Sequence, residues 1–235
     1  LLGFFLVLSS IFNQDLKEGY HLDVFLVIDG STDGTKVAVS QKFSSVNIIE
    51  GDGNLFWNQG MRLAWKRAQR NNEYDFFIWL NDDTILRKGA LEELLSIYIE
   101  ATSNNEESIV VGACKDLKLN QFTYGGRDDS GPIIPNGKLQ KCKYLNGNIV
   151  LISKKVFSRI GYLSKNYTHA MGDIDYGLRA LKSGINIYST KKYIAFCSKH
   201  QHAPSWCNPK KNIIQRWKNF NSPKGIYLKE YKIFI

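Results

Sequence analysis

The stretch Phe76-Phe77-Ile78-Trp79-Leu80-Asn81-Asp82-Asp83-Thr84 places five bulky apolar residues, followed by one Asn, before two adjacent carboxylates. A short continuous apolar run predicts a strand buried on both faces, as in a parallel sheet covered by helices. Asp82 and Asp83 then follow the carboxyl end of that strand. Because ligands of open α/β sheets bind at that end, we expect the functional site there.

The carboxylate pair itself has two interpretations. Adjacent carboxylates repel each other unless a positive charge compensates. A divalent cation carrying a diphosphate would compensate, since hard oxygen ligands suit Mg²⁺ and Mn²⁺. The alternative is structural, because Asp82, Asp83 and Thr84 are all favoured N-cap residues and could cap the next helix.

Strands and helices alternate outward from this stretch. The alternation over the first ~115 residues predicts a doubly wound, mostly parallel α/β sheet flanked by helices. Besides the central strand, strands are predicted at 23–28, 46–50, 108–113, 148–152, 185–188 and 194–197. Helices are predicted at 1–16, 36–43, 57–70, 89–101, 155–160 and 173–183. The segment 117–143, rich in Gly, Pro and Asn, is expected to form hairpins and loops.

Composition limits the class of protein. The 235 residues suffice for one large α/β domain, and 43% hydrophobic with 23% charged residues is ordinary for a globular protein. The net charge of +9 favours an anionic partner, such as nucleic acid, a nucleotide-sugar phosphate or a membrane surface. The four cysteines form no CxxC pair, which argues against a zinc knuckle. The apolar start, 1–12, has no Met or basic region, so it does not resemble a signal peptide.

A second polar turn also follows a predicted strand: DGSTDGT at 29–35, after DVFLVI at 23–28. Its glycines would let the backbone approach a ligand closely. Neither GxxxxGK[ST] nor GxGxxG is present, so it is not one of these phosphate-binding loops. The Asp29 carboxylate could accept a hydrogen bond from a nucleotide base or ribose hydroxyl, and the alternative is an ordinary turn between strand and helix.

Two further carboxylates, Asp173 and Asp175, lie in GDIDYGLRA at the start of a predicted helix. They would either cap that helix and complement its dipole, or one of them would act as a general base. Arg179 could pair with either acid or contact a phosphate. His200 and His202 are candidate metal ligands, with a purely structural role as the alternative.

In order and spacing, these motifs resemble the family-2 glycosyltransferases with a GT-A fold. The matching segments are DGSTDGT (29–35), NLFWNQGMR (54–62), LNDDT (80–84), LNGNIVLISKKVFSRIG (145–161) and GDIDYGLRA (172–180). Within the family, the sequence is most similar to rhamnosyltransferase-like bacterial enzymes of surface polysaccharide synthesis.

The resemblance implies roles around a donor sugar and a metal ion. The residues implied to bind the nucleotide sugar are Asp29, Gly30, Asn58, Asn81 and Asp82. Those implied to bind Mn²⁺ or Mg²⁺ are Asp83 and either His200 or His202. Asp173 would be the catalytic base, with Asp175 as its rival.

The sequence departs from the family pattern at several places. Ile28 replaces the first acid of the family's DDGS motif, Asn81 takes the first place of its DXD motif, and Gly172 replaces the Glu that precedes the catalytic acid. The family's first strand has no counterpart. We therefore expect a GT-A-like sheet lacking that strand, in a chain truncated at its N-terminus.

The expected function is that of a metal-dependent, inverting glycosyltransferase. The donor would be a UDP- or dTDP-linked sugar and the acceptor a hydroxyl of a glycan or lipid-linked sugar, in bacterial surface polysaccharide synthesis. One alternative is a non-catalytic module that binds a nucleotide sugar or glycan. Nucleic-acid binding is a third, but the acidic clusters at the expected pocket argue against it.

Residues 1–208 are expected to form the catalytic domain, and 209–235 a basic, aromatic C-terminal segment. Seven Lys or Arg against one Glu give this segment six of the chain's nine net positive charges. Such a segment would contact anionic lipid peripherally, on a cytoplasmic protein at the inner face of the membrane. The alternative is a solvated helix that packs its aromatic residues on the domain.

Overall fold

The computed structural model describes residues 2–104, 106–199 and 203–234. The helices are α1 Leu2–Phe12, α2 Thr35–Lys42, α3 Phe56–Asn71, α4 Ala90–Ala101, α5 Lys154–Ile160, α6 Gly172–Lys182, α7 Ile213–Phe220 and α8 Leu228–Phe234, with a 3₁₀ turn at Ser205–Cys207. The strands are β1 Phe25–Asp29, β2 Asn47–Gly51, β3 Phe76–Leu80, β4 Ile85–Leu86, β5 Ser108–Lys115, β6 Arg127–Asp128, β7 Gly131–Pro132, β8 Gln140–Lys141, β9 Ile149–Ser153 and β10 Asn186–Phe196.

The larger sheet has the order β3-β9-β5-β10-β4, with β8 also pairing with β10. Strand β9 runs antiparallel to both β3 and β5, and β10 runs parallel to β5. The long strands β3, β5 and β10 therefore share one direction and β9 opposes them. The expected α/β class, a mostly parallel sheet flanked by helices, is confirmed.

Alternate side chains of the central strands pack into two separate hydrophobic cores, one on each face of the sheet. Val110 and Leu151 face a cluster that includes Leu94 and Ile97 of α4. Their neighbours along β5 and β9 face a second cluster, which includes Trp65 of α3 and Tyr176 of α6. Because both faces are covered by helices, β5 and β9 are almost wholly buried, and only their end residues Ser108, Lys115 and Ser153 are polar, as the continuous apolar runs predict.

Strands β1 and β2 form a separate two-stranded parallel sheet beside β3. The Tyr74 hydroxyl, just before β3, donates a hydrogen bond of 2.6 Å to Asp23 Oδ2, just before β1, so the two strands begin at the same end. Within the described residues, β1 and β3 each lack a strand partner on one edge. The absence of the family's first strand stays a prediction.

One predicted break in the sheet is wrong. The segments 185–188 and 194–197 belong to a single strand, β10, because the polar residues between them form an irregularity in the register with β5 rather than a loop. There, the backbone N–H of Ala113 donates to Thr190 Oγ1 at 2.9 Å, so a side chain replaces a backbone acceptor. The first helix ends at Phe12 rather than at residue 16.

Candidate active site

The turn after β1 is built around the Asp29 carboxylate. Its Oδ1 accepts from the backbone N–H of Gly53 at 2.7 Å, and its Oδ2 from those of Leu55 and Phe56 at 2.9 and 3.1 Å. Gly30 is required beside it, because its φ is 73° and a Cβ there would lie 2.7 Å from Gly53 Cα. Asp29 thus fixes the loop that leads into α3, with three backbone donors on its two oxygens.

The first turn of α3 continues from this loop toward the acidic turn after β3. Trp57 Nε1 donates to Asn81 Oδ1 at 2.6 Å. The Trp57 ring also packs edge-on against Trp79, with ring centroids 6.1 Å apart, and lies over Gly147, where a Cβ would come within 2.2 Å of a ring carbon. Trp57 therefore joins the end of β3 to the loop before β9.

The acidic turn at residues 81–84 is held by Asn148. The Asn81 N–H donates to the Asn148 carbonyl at 3.0 Å, and Asn148 Nδ2 donates to the buried Thr84 Oγ1 at 3.0 Å. Asp82 and Asp83 remain exposed and belong to none of the ion pairs of the described residues. Desolvation by the surrounding protein, and then the Asp83 charge, raise the pKa of Asp82.

These adjacent carboxylates suit a divalent cation, because oxygen ligands without a protein cation partner are left facing solvent. Within the described ranges, no three His, Cys, Asp or Glu side chains are grouped to hold a metal. The Cys197 thiol lies beside the turn, and burial, followed by the Asp83 charge, raises its pKa to about 12. It is therefore a neutral neighbour near pH 7. His200 and His202 lie outside the described residues.

The two acids of α6 differ in their surroundings. Asp173 Oδ2 accepts from the Gly147 N–H and Oδ1 from the Ile174 N–H, both at 2.9 Å, and burial raises the pKa of Asp173 while these hydrogen bonds oppose the rise. Asp175 instead pairs with Arg179 at 2.9 Å. Arg179 also donates to the Ile160 and Tyr162 carbonyls, so Asp175 belongs to a structural network. Because Asp175 is paired with Arg179, the geometry favours Asp173 over Asp175 as the carboxylate that can accept a proton.

Asn58 is fully buried and directed into the protein. Its Nδ2 donates to the carbonyls of Ser164, at 2.9 Å, and Tyr167, and its backbone N–H donates to the Thr168 carbonyl at 3.1 Å. Gly172 lies against its side chain, where a Cβ would come within 1.8 Å of Oδ1. These contacts indicate that Asn58 stabilises the loop before α6 rather than contacting a donor sugar directly.

The first turn of α3 thus connects the site residues that the sequence indicates. Asp29 binds its first backbone amides, Trp57 binds Asn81, and the Gly147 under Trp57 binds Asp173. Trp57, Gly147 and Asn148 were missed as site residues. They lie in two of the segments that match the family, NLFWNQGMR (54–62) and LNGNIVLISKKVFSRIG (145–161). Their roles depend on contacts with residues far away in the sequence, which the sequence alone does not show.

The Glycosyl transferase family 2 model matches residues 7–161. The Haloferax volcanii low-salt glycan biosynthesis hexosyltransferase Agl10 is 23% identical over 187 residues, which cover 74% of this chain and 60% of Agl10. The chain therefore spans only about 60% of the length of this curated relative.

Two solved structures share the fold. The Pyrobaculum calidifontis mannosyltransferase PcManGT, in complex with GDP-Man and Mn²⁺, has a TM-score of 0.61 and 12% identity, over 87% of this chain and 56% of that one. GalNAc-T7 with UDP, GalNAc and Mn²⁺ has a TM-score of 0.62 and 10% identity, over 92% of this chain and 44% of that one.

Proposed function

The chain belongs to glycosyl transferase family 2, and from that premise we propose that it transfers a sugar from a nucleotide-diphosphate donor to an acceptor hydroxyl with inversion. The observation that carries the proposal is the convergence of three acidic turns on the first turn of α3. These turns hold Asp29, the pair Asp82 and Asp83, and Asp173. These carboxylates differ in hydrogen bonding and exposure, which suits the different roles that such a transfer requires: shaping the nucleotide loop, binding a metal ion and accepting a proton.

In the proposed mechanism, the loop fixed by Asp29 and Gly30 receives the nucleotide, with Asn81 and Asp82 toward the ribose. Asp83 would hold Mn²⁺ or Mg²⁺, and that ion would neutralise the charge developing on the departing diphosphate. Asp173 accepts the proton of the attacking acceptor hydroxyl. Its raised pKa makes the carboxylate a better proton acceptor than an exposed aspartate. A single displacement inverts the anomeric carbon.

The more specific proposal follows the resemblance of the motifs. The donor is a UDP- or dTDP-linked hexose, and the acceptor is a glycan or lipid-linked sugar of a bacterial surface polysaccharide, as in rhamnosyltransferase-like enzymes. The hexosyltransferase Agl10 supports a hexose donor. The nucleotides of the two solved structures differ, UDP in GalNAc-T7 and GDP-Man in PcManGT, so the uridine or thymidine donor rests on the resemblance of the motifs alone.

The test is a screen of nucleotide sugars for donor hydrolysis and transfer, with and without Mn²⁺, on the wild-type chain and on Asp173→Asn. We expect turnover of at least one UDP- or dTDP-linked hexose that depends on Mn²⁺ and on Asp173. Nucleotide binding without turnover of any donor would instead favour the non-catalytic binding module.

We also propose peripheral contact with the inner face of the membrane through α7. No helix in the described ranges is long and apolar enough to cross a bilayer. Three large apolar side chains of α7 are nevertheless exposed, Ile213 by 82%, Ile214 by 69% and Trp217 by 58%. Lys210, Lys211, Arg216 and Lys218 are close to them in sequence. Such a combination suits the interface of an anionic membrane, where a lipid-linked acceptor would lie.

A further inference from the structure

A buried carboxylate of the C-terminal segment contacts the loop that leads to Asp173. Glu230 of α8 is only 6% exposed, and its Oε1 accepts from the Thr168 N–H at 2.9 Å and from the Thr168 hydroxyl at 2.5 Å. Glu230 takes part in none of the ion pairs of the described part of the chain. Since burying a carboxylate is costly unless it is well hydrogen-bonded, Thr168 must be held firmly for this arrangement to persist.

Thr168 lies between α8 and the start of α3. Its N–H and hydroxyl donate to Glu230, while its carbonyl accepts from the Asn58 N–H at 3.1 Å. Nearby, the Tyr167 ring is buried and packs edge-on against Phe234 of α8, with centroids 6.4 Å apart. The loop is therefore clamped on one side by α8 and on the other by α3.

The clamped loop determines where Asp173 is placed. Only four residues separate Thr168 from Asp173, and the chain turns between them at Met171, whose φ of 68° is in the left-handed region. Gly172 is pressed against Asn58, which leaves the turn little room to adjust. A displacement of Thr168 would therefore move the first turn of α6 and its carboxylate.

We propose that Glu230 is a positioning residue for Asp173, an inference that rests on the proposed function. It fixes Thr168, and through Thr168 and Met171 it sets the direction in which the Asp173 carboxylate faces the acceptor. The C-terminal segment then supplies part of the support of the active site, whatever its contact with lipid. Misplacing a reacting group by about 1 Å can lower a rate by about 10²-fold, so a buried contact of this kind matters for turnover.

The test uses Glu230→Ala and Glu230→Gln in the full chain, with Lys229→Ala on the same helix as the matched control. For Glu230→Ala we expect kcat to fall by about 10- to 100-fold while the affinity for nucleotide and Mn²⁺ changes by less than about threefold. Glu230→Gln keeps an acceptor oxygen and should restore most of kcat. Wild-type kcat in folded Glu230→Ala would overturn the proposal.

Thr168 provides a second pair of variants if Glu230→Ala fails to fold. Thr168→Val loses the hydroxyl donor at nearly constant volume, and Thr168→Ser keeps it. We expect a several-fold lower kcat in Thr168→Val than in Thr168→Ser, and equal values would contradict the clamp.

Two further measurements separate this inference from the proposed function. In the Asp173→Asn background, Glu230→Ala and Thr168→Val should cause no further loss of rate, because the positioned group is already absent. Hydrogen exchange of the backbone amides at positions 168 and 174 should accelerate in Thr168→Val even where no donor is turned over. Unchanged exchange would reject the positioning role, whereas absence of turnover in the wild type would reject only the proposed transfer.

Discussion

Asp83 is the residue on which the proposed metal dependence rests. Replacing it by Ala should abolish metal-dependent nucleotide binding and leave the fold intact, because its side chain is exposed at the end of β3. Calorimetry with UDP or dTDP, with and without Mn²⁺, measures the effect. Asp129→Ala is the control, since Asp129 is an exposed acid that pairs with Lys143. Unchanged affinity in Asp83→Ala would exclude the metal role.

Asp173 is the residue that should set the pH dependence. Burial raises its pKa, and a base acts when deprotonated, so kcat/KM should rise with pH through a midpoint above that of an ordinary aspartate. Asp173→Asn should lower turnover by a factor of about 10²–10⁴ and remove this acidic limb. Full activity in Asp173→Asn together with loss in Asp175→Asn would show that the other acid is the base.

The acids themselves could be predicted from the sequence, because each follows an apolar run or opens an amphipathic helix. Their individual surroundings could not. Nothing in GDIDYGLRA tells that Asp175 is engaged by Arg179, whereas Asp173 bonds to the amide of Gly147. Likewise, Glu230 reads as one acid in a basic segment, and its burial depends on a loop 62 residues earlier.

At the scale of elements, the contact between α3 and the loop before β9 depends on Gly147. A Cβ there would lie 2.2 and 2.5 Å from Trp57 ring carbons. Gly147→Ala should therefore lower the free energy of unfolding by about 1–3 kcal/mol, the usual cost of overpacking. Denaturant unfolding measures it, and Gly3→Ala is the control, since a Cβ at this helical position meets nothing within 4 Å. Equal stability of the two variants would contradict the tight contact.

Most elements of the sheet could be predicted, because a strand covered on both faces is a continuous apolar run. The short strand β4 was not predicted, and β10 was predicted as two strands because it contains the polar stretch Ser189-Thr190-Lys191-Lys192. Its continuity depends on β5. In the middle of the ladder between the two strands, the Ala113 N–H of β5 donates to the Thr190 hydroxyl oxygen of β10. Pairing between distant segments overrides local pattern here, as it commonly does in sheets.

At the scale of the whole molecule, the basic C-terminal part predicts binding to anionic vesicles. At about 1 kcal/mol per basic residue near an anionic surface, a few such charges suffice to recruit a protein. Replacing Ile213, Ile214 and Trp217 together by Ser should reduce co-sedimentation with phosphatidylserine vesicles, and high salt should reduce it further in the wild type.

The matched control replaces Ile99, Leu117 and Leu119 by Ser, because these apolar side chains are 61%, 64% and 64% exposed elsewhere on the surface. It should bind vesicles like the wild type. Equal binding by both triple variants, or no binding by the wild-type chain, would show that α7 is not a membrane contact.

The separation of β1 and β2 from the larger sheet implies two cooperative units of different local stability. Backbone amides of β1 and β2 should exchange with deuterium through partial opening, at a lower free energy than those of β5 and β9. Native-state exchange followed by mass spectrometry would resolve the difference, and uniform protection would contradict it. Since Asp29 belongs to the smaller unit and Asp83 to the larger one, a bound nucleotide with Mn²⁺ should join them and slow exchange in β1 most of all.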